Sequence, residues 1–132
     1  MAEKIELEIV TPEGQIFSGQ VDGVTVPGKA GYLGILPGHA PLVTELRIGV
    51  ITYQTDGSEN RLFCAWGLAE ILGNQVSILA NQVKKPGDID IEAAKADKTR
   101  AEEILNSKDE DSDFQDAVNL LDSANARLEV AG

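Results

Sequence analysis

The chain has 132 residues, 42% of them apolar and 25% charged, with 22 acids against 11 bases and a formal net charge of −11. That length supports one good core with at most a small appendage, and the composition is that of a globular protein and not of a disordered one. So acidic a chain, with Lys84-Lys85 as its longest basic run, is repelled by nucleic-acid phosphates, and the absence of eighteen consecutive apolar residues predicts no membrane span of its own. The start, Met1-Ala2-Glu3-Lys4, lacks the basic and apolar regions of a signal peptide.

Along the chain, strict alternation in Ile5-Glu6-Leu7-Glu8-Ile9 predicts a half-buried strand. Val24-Thr25-Val26 reads as another. From Val26 to Leu46 four glycines and three prolines leave the apolar residues in pieces too short for a helix, so this stretch is expected to run as short strands and tight turns, with glycines free to take positive φ. Ile48-Gly49-Val50-Ile51-Thr52-Tyr53 is a β-branched run, and Thr55-Asp56-Gly57-Ser58 predicts a hairpin turn after it. Leu62-Phe63-Cys64-Ala65-Trp66 is strand-like, Gly73-Asn74 marks another turn, and Val76-Ser77-Ile78-Leu79 follows as a strand. Many short strands at close spacing predict a β-sandwich or flattened barrel.

All five prolines and twelve of thirteen glycines precede residue 88, which places a boundary at Lys85-Pro86-Gly87-Asp88, between a unit at 1–87 and one at 88–132. The first holds nine acids and six bases, the second thirteen acids and five bases. In the second unit Asp90 is expected to cap a helix from Ile91 to Leu105, which Asn106 to Asp111 breaks. Ser112-Asp113-Phe114-Gln115 has the form of a capping box for a second helix with Phe114, Ala117, Val118, Leu121, Ala124 and Leu128 on one stripe. Ile91, Ala94, Ala101, Ile104 and Leu105 face it from the first. This seam of small residues is thin for independent stability, so the helical hairpin needs another surface. Three roles fit it: a cover docked on the sandwich, a mobile arm that exchanges the sandwich for a partner, or a permanent partner-binding hook.

The residues offer no catalytic constellation. His39 is the only histidine, in Pro37-Gly38-His39-Ala40-Pro41, with Thr44 the nearest hydroxyl downstream, and it reads as a turn residue outside any nucleophile motif. The glycines at 28, 31, 34 and 38 lack the Gly-Lys-Ser/Thr ending and the following helix of a phosphate cradle. Cys64 is the only cysteine, which excludes an internal disulfide, and it reads as a small buried hydrophobe. No metal and no cofactor are expected. The run Lys108-Asp109-Glu110-Asp111-Ser112-Asp113 reads as a solvated turn before a helix amino end.

The ordered stretch Val26-Pro27-Gly28-Lys29-Ala30-Gly31-Tyr32-Leu33-Gly34-Ile35-Leu36-Pro37-Gly38-His39-Ala40-Pro41-Leu42-Val43-Thr44-Glu45-Leu46, with Thr11-Pro12-Glu13-Gly14 before it and Gly49-Val50-Ile51 after it, closely resembles the amino-terminal signature of the epsilon subunit of bacterial and chloroplast F-type ATP synthases. The resemblance implies a flattened amino-terminal β-sandwich followed by a carboxy-terminal antiparallel α-helical hairpin. It implies a noncatalytic rotor subunit that joins the gamma subunit to the c-ring while proton flow drives ATP synthesis. By the same resemblance, Ala30, Gly31, Tyr32 and Leu33 face the c-ring, and His39, Ala40, Pro41 and Leu42 meet gamma, with Tyr32 standing where an acidic or polar residue is common. The hairpin of such subunits folds down on the sandwich or extends toward the alpha and beta subunits of the catalytic head, where it restrains ATP hydrolysis. The location implied is peripheral, at the cytoplasmic face of a plasma membrane or the stromal face of a thylakoid.

Some members bind ATP through Ile/Leu-Asp-x-x-Arg-Ala at the start of the first hairpin helix. Here Ile89-Asp90-Ile91-Glu92-Ala93-Ala94 keeps Ile89, Asp90 and Ala94 but has Ala93 in the arginine position. Arg127 matches a second arginine of those members. With Asp90 and Arg127 alone, no ATP site is expected, because alanine supplies none of the charged donors that suit phosphate oxygens. The alternative to the rotor reading is a free-standing β-sandwich adaptor for another protein partner.

Overall fold

A computed structural model describes residues 3–107 and 114–132. Eight strands come first: β1 (Ile5–Thr11), β2 (Gly14–Val21), β3 (Gly23–Gly28), β4 (Gly31–Ile35), β5 (Leu42–Leu46), β6 (Gly49–Thr55), β7 (Ser58–Leu72) and β8 (Gln75–Lys84). A single 3₁₀ turn at Pro86–Asp88 leads into α1 (Ile91–Asn106), and α2 (Phe114–Ala131) ends the chain. The strands follow the order β2-β1-β8-β7-β5-β3-β4, with β6 bridging β3 and β7. The result is the expected β-sandwich with an α-helical hairpin.

The alternation read in the first strand is real: Ile5, Leu7 and Ile9 are buried while Glu6 and Glu8 face solvent. They join Val24, Val26, Ile35, Ile51, Ile71, Val76 and Ile78 in one core. Fully burying each such side chain contributes roughly 1.5–3 kcal/mol, so the sandwich is held by many large branched residues. The two predicted turns are present. Asp56 and Gly57 both have positive φ, 47° and 85°, as a two-residue hairpin between right-twisted strands requires, and Gly73 at 62° turns β7 into β8.

Of the four glycines in the signature stretch, Gly31 and Gly38 have positive φ and Gly28 and Gly34 do not. Gly28 serves a different need, since a Cβ there would lie 2.9 Å from the Gly31 carbonyl oxygen. The stretch also carries β4 and β5, so much of it is paired strand. The longest strand, β7, serves both parts of the sandwich. Its first half pairs with β6, from Ser58 to Cys64, and its second with β5, from Gly67 to Ile71. The changeover falls at Trp66, whose φ of 55° is an uncommon conformation for a bulky residue. Gly67 beside it has no alternative, because a Cβ there would sit 2.1 Å from the Leu79 carbonyl oxygen of β8.

Helix α1 begins and ends as its sequence predicts, to within one residue. Asp90 Oδ1 accepts a hydrogen bond from the Ala93 N–H at 3.0 Å, and the helix stops at Asn106. Ser112 and Asp113 of the capping box, and the acidic run at 108–113, lie outside the described residues. Both helices are seamed by alanine: Ala94 and Ala101 on α1, Ala117 and Ala124 on α2 are buried. The seven-residue spacing is the same in each, which suits two helices approaching closely in antiparallel sense. Phe114 departs from its expected place on this seam and is 63% exposed, while Ala126 and Val130 form a second buried face of α2. That face seats the hairpin on the sandwich, against Val50, Phe63, Ala65 and Ile89.

Candidate protein-docking surfaces

A strand with one face in the core normally turns polar residues outward, and β1 does so with Glu6 and Glu8. Across the middle of the sheet the rule fails. Val10 pairs with Leu79, Leu79 with Leu68, and Leu68 with Glu45, so one outward row crosses β1, β8, β7 and β5. Three of its four members are apolar, and Leu79 and Leu68 are 55% and 46% exposed. Two residues along β7 from Leu68 stands Trp66, also half-exposed, and Pro12 stands two residues past Val10, just beyond the end of β1. Together they line an open groove of about 740 Å³. Lys29 and Arg47 stand at its rim, Lys29 paired with Glu45 at 3.1 Å. The positive φ of Trp66 and the close crossing at Gly67 fall at this end of the row. The apolar part of the row, with Trp66, is contiguous over β1, β8 and β7, and an exposed apolar patch of this kind is a feature of protein-interaction surfaces.

The sequence carried a signal for this row. From Leu62 to Leu72 both parities of β7 are apolar apart from Gly67 and Glu70, which means a strand covered on two sides. The strand-like run Leu62–Trp66 ends short of the outward member Leu68, which the two-sided pattern includes.

The two signature segments lie at opposite ends of β4. Ala30 is exposed in the β3–β4 turn, Gly31 opens β4 with φ 137°, Tyr32 is 55% exposed, and Leu33 packs against the core. His39, Ala40 and Pro41 form the β4–β5 loop and Leu42 begins β5, one strand of five residues away, about 16 Å. His39 Nδ1 donates to the Ala40 carbonyl at 2.7 Å. Beside that loop Leu42, Val43 and Leu72 expose a second, smaller apolar patch, with a shallow hollow between Pro41, Val43 and Leu72.

Asp90 and Arg127 are each occupied. Asp90 caps α1, and the Arg127 guanidinium, 15% exposed, pairs with Asp97 Oδ2 at 2.8 Å while its Nε donates to the Ser123 carbonyl. The charge of Arg127 thereby ties α2 to α1 across the alanine seam. Ala93 is exposed and gives only its backbone N–H, to Asp90. Cys64 is fully buried, and burial pushes its thiol up to about 12, so the reactive thiolate is suppressed. Among the described residues no group of three or more His, Cys, Asp or Glu side chains is placed to hold a metal ion, and no helix is long and apolar enough to cross a membrane.

The comparisons with known proteins cover both parts of the chain. Residues 4–86 match the beta-sandwich domain of the ATP synthase Delta/Epsilon chain, and residues 88–132 match its long alpha-helix domain. The chain belongs to the ATP synthase delta/epsilon family. Among its relatives, the ATP synthase epsilon chain of Koribacter versatilis is 48% identical over 107 residues, 81% of this chain and 75% of that one. The ATP synthase epsilon chain of Geotalea uraniireducens is 40% identical over 132 residues, 99% of this chain and 96% of the other. The same delta/epsilon fold recurs in a solved structure of the Euglena gracilis mitochondrial ATP synthase, with a TM-score of 0.82 at 23% identity, over 97% of this chain and 81% of that one.

Proposed function

We propose that this chain is a noncatalytic central-stalk subunit of an F-type, proton-translocating ATP synthase, in which the unit at 1–87 is the docking body and the unit at 88–132 is a detachable regulatory arm. The observation that carries the docking role is the outward apolar row Val10–Leu79–Leu68 with Trp66, a surface whose exposure is costly in a free chain and favourable once covered. The gamma subunit covers this groove and reaches the His39–Leu42 loop, while Ala30–Leu33 faces the c-ring. The chain is then peripheral to the membrane, held there by its partners, on the cytoplasmic face of a plasma membrane or the stromal face of a thylakoid. Leu68→Asp and Leu79→Asp each place a charge in the groove without touching the core. In a pull-down with gamma, both are expected to lose association while keeping the native circular dichroism spectrum. Unchanged association with both variants would move gamma off this face.

The arm's role rests on its thin attachment. The seat of α2 on the sandwich is one small cluster, Ala126 and Val130 against Val50, Phe63 and Ala65, where the sandwich has a core of more than a dozen buried side chains. Release of the hairpin toward the alpha and beta subunits therefore has a modest cost, and the released form restrains ATP hydrolysis. Nucleotide is no part of this control. With Ala93 in place of the arginine and Arg127 engaged by Asp97, ATP binds weakly or not at all. Calorimetry of the free chain with ATP is expected to give no dissociation constant in the micromolar range, and a micromolar constant would contradict the claim.

A further inference from the structure

Tyr32 is exposed enough to meet a partner, yet its far end is committed inside the molecule. Its hydroxyl oxygen accepts a hydrogen bond from the Val50 N–H at 3.0 Å. The side chain reaches Val50 by crossing Gly49, where a Cβ would lie 2.7 Å from the hydroxyl and 2.6 Å from Pro27 Cβ, so glycine there is what lets the ring through. Val50 pairs with Phe63 on one side, but the pairing of β6 with β3 covers only Thr52–Gln54. The Tyr32 hydroxyl stands in for the missing strand at Val50. Val50 is 3% exposed and belongs to the small cluster on which Ala126 and Val130 of α2 are seated. Tyr32, Gly49 and Val50 also face Asn125 and Ala126 of α2 across one cleft.

We propose that Tyr32 is a latch that couples the signature turn to the hairpin seat, so that its hydroxyl bond and the docking of α2 stabilise one another. This inference rests on the reading of the hairpin as a detachable arm. The coupling comes from the different surroundings of one N–H in the two states. With α2 seated, Val50 is buried, and without the hydroxyl its N–H has no protein partner there. With α2 released, water reaches the same N–H and the hydroxyl adds little. The bond therefore favours the docked state, and by reciprocity whatever draws Tyr32 off Val50, such as a partner engaging the Ala30–Leu33 turn, favours release.

The test is native-state hydrogen exchange of the full chain, unaltered and as Tyr32→Phe, which keeps the ring and removes the acceptor. Amides of α2 from Val118 to Leu128 are expected to exchange roughly tenfold faster in the variant, while amides of the sandwich core, Ile9 and Ile78, keep their rates. A general loss of stability would accelerate both sets equally, and that outcome overturns the latch. If α2 opens separately from the sandwich but at the same rate in both chains, the latch is wrong and the detachable arm survives. If α2 of the unaltered chain exchanges only through global unfolding, the arm does not detach and both readings fall.

Discussion

The sandwich and the hairpin are built from opposite materials. In the sandwich, isoleucine, valine and leucine from all eight strands fill a continuous core, and every strand has at least one ladder partner. Among the described residues, the hairpin has four buried alanines at its seam, one partly buried ion pair, and a seat in which Ala126 and Val130 meet Val50, Phe63 and Ala65. Alanine lets two helices come close but brings little area with it, so the hairpin keeps its shape by helix propensity and capping, and its place by a small contact. Two regions of one chain are thus stabilised to very different depths. The deep one can serve as a rigid platform and the shallow one as a moving part.

Damage to the sandwich should be global and large. Ile78→Ala removes a fully buried branched side chain and is expected to cost about 2–5 kcal/mol in denaturant unfolding. Gly67→Ala forces a methyl into the Leu79 carbonyl and should exceed about 2 kcal/mol with loss of the β7–β8 crossing. Should either variant melt only the helices, the assignment of the main core to the strands is wrong. Damage to the hairpin should be smaller and confined to it. Arg127→Ala breaks the Asp97 pair, which lies between exposed and fully buried, and should weaken the hairpin by about 1–2 kcal/mol, seen as faster proteolysis after Lys98 or Arg100 at an unchanged unfolding midpoint of the sandwich. Asp90→Ala removes the cap of α1 and should cost about 1 kcal/mol, read as lower helicity of residues 91–106 by chemical shift.

The smallest effect expected is a pH dependence within the sandwich. Lys4 is hydrogen-bonded to Asp22 and, at 3.3 Å, to Asp56, tying β1 to the β6–β7 turn. The hydrogen bond from Lys4 holds the Asp22 carboxyl below its ordinary value of 3.8. A carboxyl with a lowered folded-state pKa adds stability that is fully present above the unfolded value and lost as pH falls through the folded one. Asp22→Asn should therefore lower stability slightly at neutral pH and flatten the acid limb, with the difference from the unaltered chain vanishing as pH falls below about 4. A variant that keeps the acid limb of the unaltered chain would show that the cluster does something else.

What the sequence made legible follows the same division. Alternation in Ile5–Ile9, the Asp56-Gly57 turn and the Asp90 cap are local rules, and each holds because nothing nearby competes with it. The strand β2 was not legible, since Gly14–Val21 mixes polar and apolar residues and pairs only at the edge of the sheet. Phe114 was misplaced because helical periodicity alone cannot say which of two faces a hairpin buries, and α2 spends Ala126 and Val130 on the sandwich. The groove was hidden for a related reason: its row is assembled from four strands that meet only through tertiary register. Asp90 and Arg127 were visible as residue types, but that Asp97 engages Arg127 depends on the packing of α1 against α2.

The claim that the shallow region is the working part is tested most directly by ATP hydrolysis in an assembled synthase carrying either the full chain or the chain without residues 88–132. The account predicts that both complexes assemble and that the one lacking the hairpin hydrolyses ATP several-fold faster. Equal hydrolysis by the two complexes would contradict it and make the hairpin a passive cover for Val50, Phe63 and Ala65.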